Sequence, residues 1–190
     1  QCVYHEHILQ MIEARPWLWA THVWNLFDFG ADGRDEGGKH GENQKGLVTF
    51  DRQLKKDAFY LYKAAWNHKE PFVHLCGSRY VDRTEPVTEV KAYSNQDEVS
   101  LYVDGKLFGT AQGHVVFTFQ VPISGEHTIE ARAGGCTSVM LVRKVDEPNP
   151  AYRKPGRAAS VNVTNWFDQG EAAPTCYSIL DTLGEIRQNP

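Results

Sequence analysis

Between Gly30 and Gly46 the chain sets Asp32, Arg34, Asp35, Glu36, Lys39, His40, Glu42, Asn43 and Lys45 within seventeen residues. Metal binding is the first chemistry to test in so dense a group of charges. The acidic residues lack the regular spacing of a calcium loop. His5 and His7 flank Glu6, but residues two apart on a helix do not face one another, so they make no metal pair. Cys2, Cys76, Cys136 and Cys176 lie far apart without a C-x-x-C pair, which gives neither a zinc site nor a disulfide framework. Buried free thiols in a reducing compartment are the reading, and no metal is expected. What remains is a long, charged loop without turn signals of its own, the kind of segment that is usually functional or disordered.

An element must hold that loop. Trp17 to Phe29 reads WLWATHVWNLFDF, apolar or aromatic on both alternating faces. This pattern predicts a strand buried on both sides, with Trp17 and Trp19 in the core. A buried parallel strand ending in a polar loop is how barrel enzymes present active-site groups. Before it, residues 3–14 carry Tyr4, Ile8, Met11 and Ile12 on one helical stripe, ended by Arg15-Pro16. After the loop, Gly46–Phe50 reads as a short extended piece. Lys55–Trp66 then reads as a helix with Ala58, Leu61, Tyr62, Ala65 and Trp66 on one face. Helix, strand, loop and helix make one unit of a parallel α/β fold, which cannot close a barrel alone. Gln1–Ala14 has no signal-peptide shape and looks like an element already under way, as if cut from something longer.

Past Asn67 the texture changes. Short alternating runs follow at Phe72–Leu75, Glu89–Tyr93, Val99–Val103, Val115–Val121, His127–Ala131 and Val139–Val142. Turn signals separate them at Ser94-Asn95, Asp104-Gly105, Ser124-Gly125 and Gly134-Gly135. Val99, Leu101 and Val103 form one inward set, and Val115, Phe117, Phe119 and Val121 another. Strands at this spacing predict a small antiparallel sandwich of immunoglobulin type, without the Cys…Trp…Cys pattern of antibody domains. Asp146–Gly156 is a Pro-rich linker. The tail has a strand-like Ala159–Val163 and a short amphipathic helix at Ser178–Arg187, with Trp166, Phe167 and Tyr177 expected to dock on a neighbouring domain. Asn162-Val-Thr164 matches a glycosylation acceptor and is treated as chance. The expected domains are 1–67, 70–147 and 148–190.

Bulk properties narrow the partners. Apolar residues at 41% supply a core, which excludes general disorder. Net charge is −4 and no Lys/Arg run exceeds two, which argues against nucleic acid. No apolar stretch approaches the ~20 residues a bilayer span needs, which argues against a membrane.

The runs VWNLFDF (Val23–Phe29), DGRDEGG (Asp32–Gly38), NQKGLVTFDR (Asn43–Arg52) and KKDAFYLYKAAW (Lys55–Trp66) resemble glycoside hydrolase family 2, best its bacterial β-galactosidase and β-glucuronidase group. VKAYSNQDEVSLYVDGKLFG (Val90–Gly109) is similar to the immunoglobulin-like domain that follows the barrel in many of these enzymes. The resemblance covers about residues 1–145 and leaves the tail unplaced. It implies an α/β plus all-β chain: the last helix-strand-loop-helix unit of a (β/α)8 barrel, an immunoglobulin-like sandwich and a docking tail.

The resemblance also implies a retaining mechanism with two glutamates about 5 Å apart. The family's acid/base lies in an Asn-Glu motif, and this chain contains no Asn-Glu dipeptide. Glu6, Glu13, Glu36 and Glu42 match neither catalytic motif, so the chain alone is expected to be inactive. It would supply one wall of the sugar site. Trp24 matches the tryptophan bordering the terminal sugar, where an indole suits the C–H face of a pyranose. Asp28 would hydrogen-bond a hydroxyl or fix the loop. Asn43 and Lys45 match an Asn-x-Lys motif with which β-glucuronidases hold the sugar carboxylate, and an ammonium plus an amide N–H2 suits that anion. The alternative is that Lys45 pairs with Asp32, Asp35 or Glu36 while Asn43 makes a turn. Arg34 would assist as a second cation or tie the loop to Asp35 or Glu36.

These readings point to a β-glucuronidase or a β-galactosidase. A non-catalytic carbohydrate-binding or scaffold module is the alternative of another class, with Tyr80, Tyr93 and Tyr102 as its candidate platform. The expected partners are a β-linked glycoside or glucuronide, the remainder of a parent barrel and further copies in a homo-oligomer. No cofactor is called for. The cytoplasm is the expected location, with the periplasm as the alternative.

Overall fold

A computed structural model describes residues 1–33 and 40–146, and the backbone of Tyr177–Ser178 and Arg187–Gln188. Gln1–Thr21 and Lys55–Glu147 form one compact unit, and His22–Leu54 belong to a second.

In the first unit two helices, α1 (Cys2–Glu13) and α2 (Asp57–Trp66), pack against each other. In α2 the buried residues are Ala58, Leu61, Tyr62, Ala64 and Ala65, and the three alanines lose almost no side-chain entropy on burial. Trp66, expected on the same face, is exposed. The buried residues of α1 are His5 and Leu9, four apart on one face. The predicted stripe of Tyr4, Ile8, Met11 and Ile12 is rotated away, with Tyr4 and Met11 exposed. Polar bonds set that rotation. His5 Nδ1 lies 3.0 Å from the Tyr62 hydroxyl, and Glu6 reaches Lys91 and Tyr93.

Ten strands are described before Asp146: β1 (Phe29–Gly30), β2 (Glu42–Asn43), β3 (Val73–Leu75), β4 (Asp82–Arg83), β5 (Val87–Ser94), β6 (Glu98–Val103), β7 (Lys106–Gln112), β8 (Val115–Pro122), β9 (Glu126–Ala133) and β10 (Cys136–Lys144). One sheet runs β3-β5-β8 and a second runs β4-β10-β9-β6-β7. Val90, Ala92, Phe117, Phe119 and Val121 from the first sheet and Val99, Leu101, Ile129, Ala131, Met140 and Val142 from the second form a single core. The inward sets read from alternation are those buried here, with Val103 packed at the margin. The helix pair covers the other side of β5, where Lys91 and Tyr93 point.

The β6–β7 hairpin turns at Asp104 (φ 51°) and Gly105 (φ 76°), the left-handed pair that a two-residue turn with matching twist requires. Gly134 and Gly135 do the same between β9 and β10. The expectation of an antiparallel sandwich needs one correction: β4 pairs with β10 in parallel, with Asp82 opposite Arg143. Their side chains also meet, Nε donating at 2.8 Å and NH2 at 2.6 Å to one Asp82 oxygen.

Trp17–Phe29 is not a strand buried on both sides. Trp17, Trp19, Trp24 and Leu26 are exposed, and Phe29 alone enters a strand. A doubly buried strand needs hydrogen-bonded neighbours and two covering layers. Among the described residues, 22–28 have only a parallel bridge from Phe27 to Val48. Cys2, Cys76 and Cys136 are free thiols, partly rather than fully buried, and Cys176 lies outside the described residues. So do Ala159–Val163, Trp166, Phe167 and the acceptor at Asn162. The ends of the predicted Ser178–Arg187 helix are instead an antiparallel pair, β11 (Tyr177–Ser178) with β12 (Arg187–Gln188).

Candidate functional site

The second unit is held by short backbone links between two segments. Leu47 N–H donates to Asn25 O at 3.0 Å, Val48 N–H to Leu26 O at 2.9 Å, and Asp28 N–H to Val48 O at 2.9 Å. One residue further on, β1 pairs antiparallel with β2, Phe29 opposite Asn43 and Gly30 opposite Glu42. Ala31 N–H donates to Gly41 O at 2.7 Å, closing a neck at the base of the charged loop. The pairing sets Asn43 beside the residue that follows Asp28.

Asp28 and Asn43 are both buried polar side chains. Asn43 Oδ1 accepts the backbone N–H of Lys45 at 3.0 Å, an Asx turn that also identifies which end of the amide is oxygen. The Lys45 side chain is exposed. Trp24 is 74% exposed, and its indole and the Phe29 ring meet edge to face at a centroid distance of 6.1 Å. Thus the register of β1 and β2 sets Asn43 opposite Phe29, the residue after Asp28, the Asx turn ties Asn43 to Lys45, and Phe29 touches Trp24. Arg34, Asp35 and Glu36 lie outside the described residues.

Two further residues belong to this constellation and were not among the sequence candidates. Gly46 is buried, and a Cβ there would lie 2.7 Å from Asp28 Oδ1 and closer still to the backbone of Phe27 and Asp28. Arg52 (φ 66°) lays its guanidinium 4.0 Å above the Phe27 ring and donates from NH1 to Phe50 O at 2.7 Å and Asp28 O at 3.2 Å. A glycine next to Lys45 was the available signal for the first. For the second the signal was its place at the end of the NQKGLVTFDR run, since a cation–π contact across 25 residues leaves no periodicity.

The turn carrying Arg52 is tightly bonded. Thr49 Oγ1 donates to Asp51 at 2.5 Å, and Asp51 also accepts Gln53 N–H at 3.0 Å. The Thr49 hydroxyl, then the Gln53 N–H, hold the Asp51 carboxyl below its usual range. Among the described residues no group of three or more His, Cys, Asp or Glu side chains is arranged to hold a metal.

Residues 85–136 match the family model described as a domain of unknown function, DUF4982. A β-glucuronidase of Bacteroides fragilis is 42% identical over 139 residues, 71% of this chain and 20% of that protein. β-Galactosidase BoGH2A of Bacteroides ovatus is 27% identical over 105 residues, 55% of this chain and 12% of that protein. Among solved structures, an FMN-binding β-glucuronidase from Facaelibacterium prausnitzii L2-6 superposes with a TM-score of 0.75 at 48% identity, covering 78% of this chain and 23% of that one. The chain therefore spans about a fifth or less of the length of the curated relatives it matches. Over the part it shares with them, the chain is homologous to the C-terminal part of the β-glucuronidase and β-galactosidase group of glycoside hydrolase family 2.

Proposed function

We propose that the full-length protein is a retaining exo-β-glycosidase that favours β-glucuronides, and that this chain supplies the wall of its sugar site. The observation that carries the reading is 42% and 48% identity to two β-glucuronidases. In it, residues 1–67 end a catalytic (β/α)8 barrel, 70–147 form the immunoglobulin-like domain, and 148–190 link and dock. The exposed Trp17, Trp19 and Leu26 then meet the rest of that barrel, and the two catalytic glutamates come from it. Trp24 borders the sugar ring, Asp28 fixes the loop or a hydroxyl, and Asn43 and Lys45 bind the uronate carboxylate, with Arg34 assigned as a second cation. The Asx turn ties Asn43 to Lys45, which supports a shared role for the two residues. Homo-oligomerisation and a cytoplasmic or periplasmic location belong to the same proposal.

The test is kcat/KM on p-nitrophenyl β-D-glucuronide and β-D-galactoside with the full-length protein and its Lys45→Ala variant. Preference for the glucuronide that falls by about 2–4 kcal/mol in the variant, the scale of truncating one partner of a buried charge pair, is the expected outcome. A galactoside preference untouched by the substitution would install the second reading, a β-galactosidase, which the similarity to BoGH2A favours. The scaffold-module alternative loses its platform in part, because Tyr93 is fully buried and Arg132 lies 4.1 Å over the Tyr102 ring.

A further inference from the structure

We propose that Arg52 is a positioning residue of the sugar site, locking the Asp28 segment against the segment that carries Asn43 and Lys45; this rests on the glycosidase reading above. Three pieces of backbone bear the site: 24–28, 42–46 and 49–52. One nitrogen of the Arg52 guanidinium bonds carbonyls on two of them, Phe50 O at 2.7 Å and Asp28 O at 3.2 Å, with Thr49 O at 3.4 Å on its margin. Its Cζ lies 4.0 Å over the ring of Phe27, the residue before Asp28. The Asp28 carbonyl it holds belongs to the residue preceding Phe29, and Phe29 is the register partner of Asn43.

Gly46 makes the coupling tight. It lies so close to Asp28 and Phe27 that even a methyl group has no room, so these backbones cannot shift independently. Displacement of Asp28 therefore passes directly to the residue after Lys45. The backbone of Arg52 argues the same way. A left-handed turn position favours glycine, and a bulky residue persists there where its surroundings over-determine it. Here the surroundings are the Thr49–Asp51 turn beneath and the Phe27 ring above. The orienting effect on Lys45 is indirect, so Arg52 acts on how well the carboxylate clamp is placed, not on the reacting atoms.

The experiment measures kcat and KM of the full-length protein on both nitrophenyl glycosides for Lys45→Ala, Arg52→Ala, Arg52→Lys and the double variant Lys45→Ala/Arg52→Ala. Arg52→Ala is expected to raise KM for the glucuronide about tenfold to a hundredfold, the cost of misplacing a binding group by an ångström or so, with a smaller change for the galactoside. Lys45→Ala should then cost less in the Arg52→Ala background than alone, because the clamp is already displaced. Arg52→Lys keeps the cation over Phe27 without the planar fork. It should keep the thermal midpoint and recover only part of the glucuronide preference, and it decides the matter if Arg52→Ala fails to fold. An unchanged glucuronide-to-galactoside ratio in both Arg52 variants, while Lys45→Ala abolishes it, overturns the inference and leaves the glucuronidase reading standing. Multiplicative effects in the double variant do the same. A ratio indifferent to Lys45→Ala overturns the reading, and the inference with it.

Discussion

Glu6 of α1 and Lys91 of β5 are 85 residues apart in sequence, and Lys91 Nζ lies 2.9 Å from one Glu6 oxygen and 3.0 Å from the other. The Tyr93 hydroxyl donates to the same carboxylate at 2.5 Å. Both members of the ion pair are largely shielded from water. Burial alone would lower the Lys91 pKa, but the Glu6 carboxylate outweighs it and the ammonium is held above its ordinary range. The three groups clamp α1 to β5.

Removing the carboxylate leaves a shielded ammonium without its counter-charge. Glu6→Gln is expected to destabilise the chain by about 1–3 kcal/mol in urea unfolding, and Tyr93→Phe by about 1 kcal/mol. A double-variant cycle should show the two coupled, since both act through one carboxylate. Additive losses would mean that the hydroxyl and the carboxylate stabilise the fold separately.

Acid stability should depend on Asp57. Its burial opposes ionisation, but a hydrogen bond from His74 at 2.9 Å and one from Gly77 N–H at 2.9 Å prevail, and the carboxyl lies below its ordinary 3.8. A carboxyl with a lower pKa folded than unfolded adds stability that is full above the unfolded value and lost as pH falls through the folded one. The urea midpoints of the chain and its Asp57→Asn variant should therefore differ at pH 7 and converge as the pH drops below about 4. A gap that stays constant down to about pH 2 would assign the loss to packing instead.

Substitution of Trp24 tests binding apart from stability. The indole is mostly exposed and meets the Phe29 ring edge to face. Trp24→Ala should shift the unfolding free energy of the chain by less than about 0.5 kcal/mol. In the full-length protein it should lower kcat/KM about tenfold, the worth of one aromatic face against a sugar. Equal loss of stability and activity would move the residue from the site to the core.

Much of the sandwich was legible because its code is local. Alternation along β6 and β8 places Val99, Leu101, Phe117 and Phe119 inward whatever the partner strand, and Asp104-Gly105 dictates a tight turn by its backbone alone. Other elements carry no such code. β4 is two residues long, held by one parallel pairing and an Arg143–Asp82 contact from 61 residues away. β7 puts Leu107 and Phe108, adjacent and both exposed, at the sheet edge, where no alternation can mark it. Apolar spacing predicts one stripe for α1, whereas the bonds of His5 and Glu6 turn a different face inward.

The candidate site divides in the same way. Trp24, Asp28, Asn43 and Lys45 could be named as candidates because the runs that hold them, VWNLFDF and NQKGLVTFDR, resemble motifs of a known family. That Asn43 stands opposite Phe29, that Gly46 leaves no space beside Asp28 and that Arg52 lies over Phe27 were settled by tertiary structure alone. Sequence determines which side chains are available and the local periods they obey. Register, close approach and cation–π contact arise between segments whose separation along the chain carries no period, so only the folded backbone decides them.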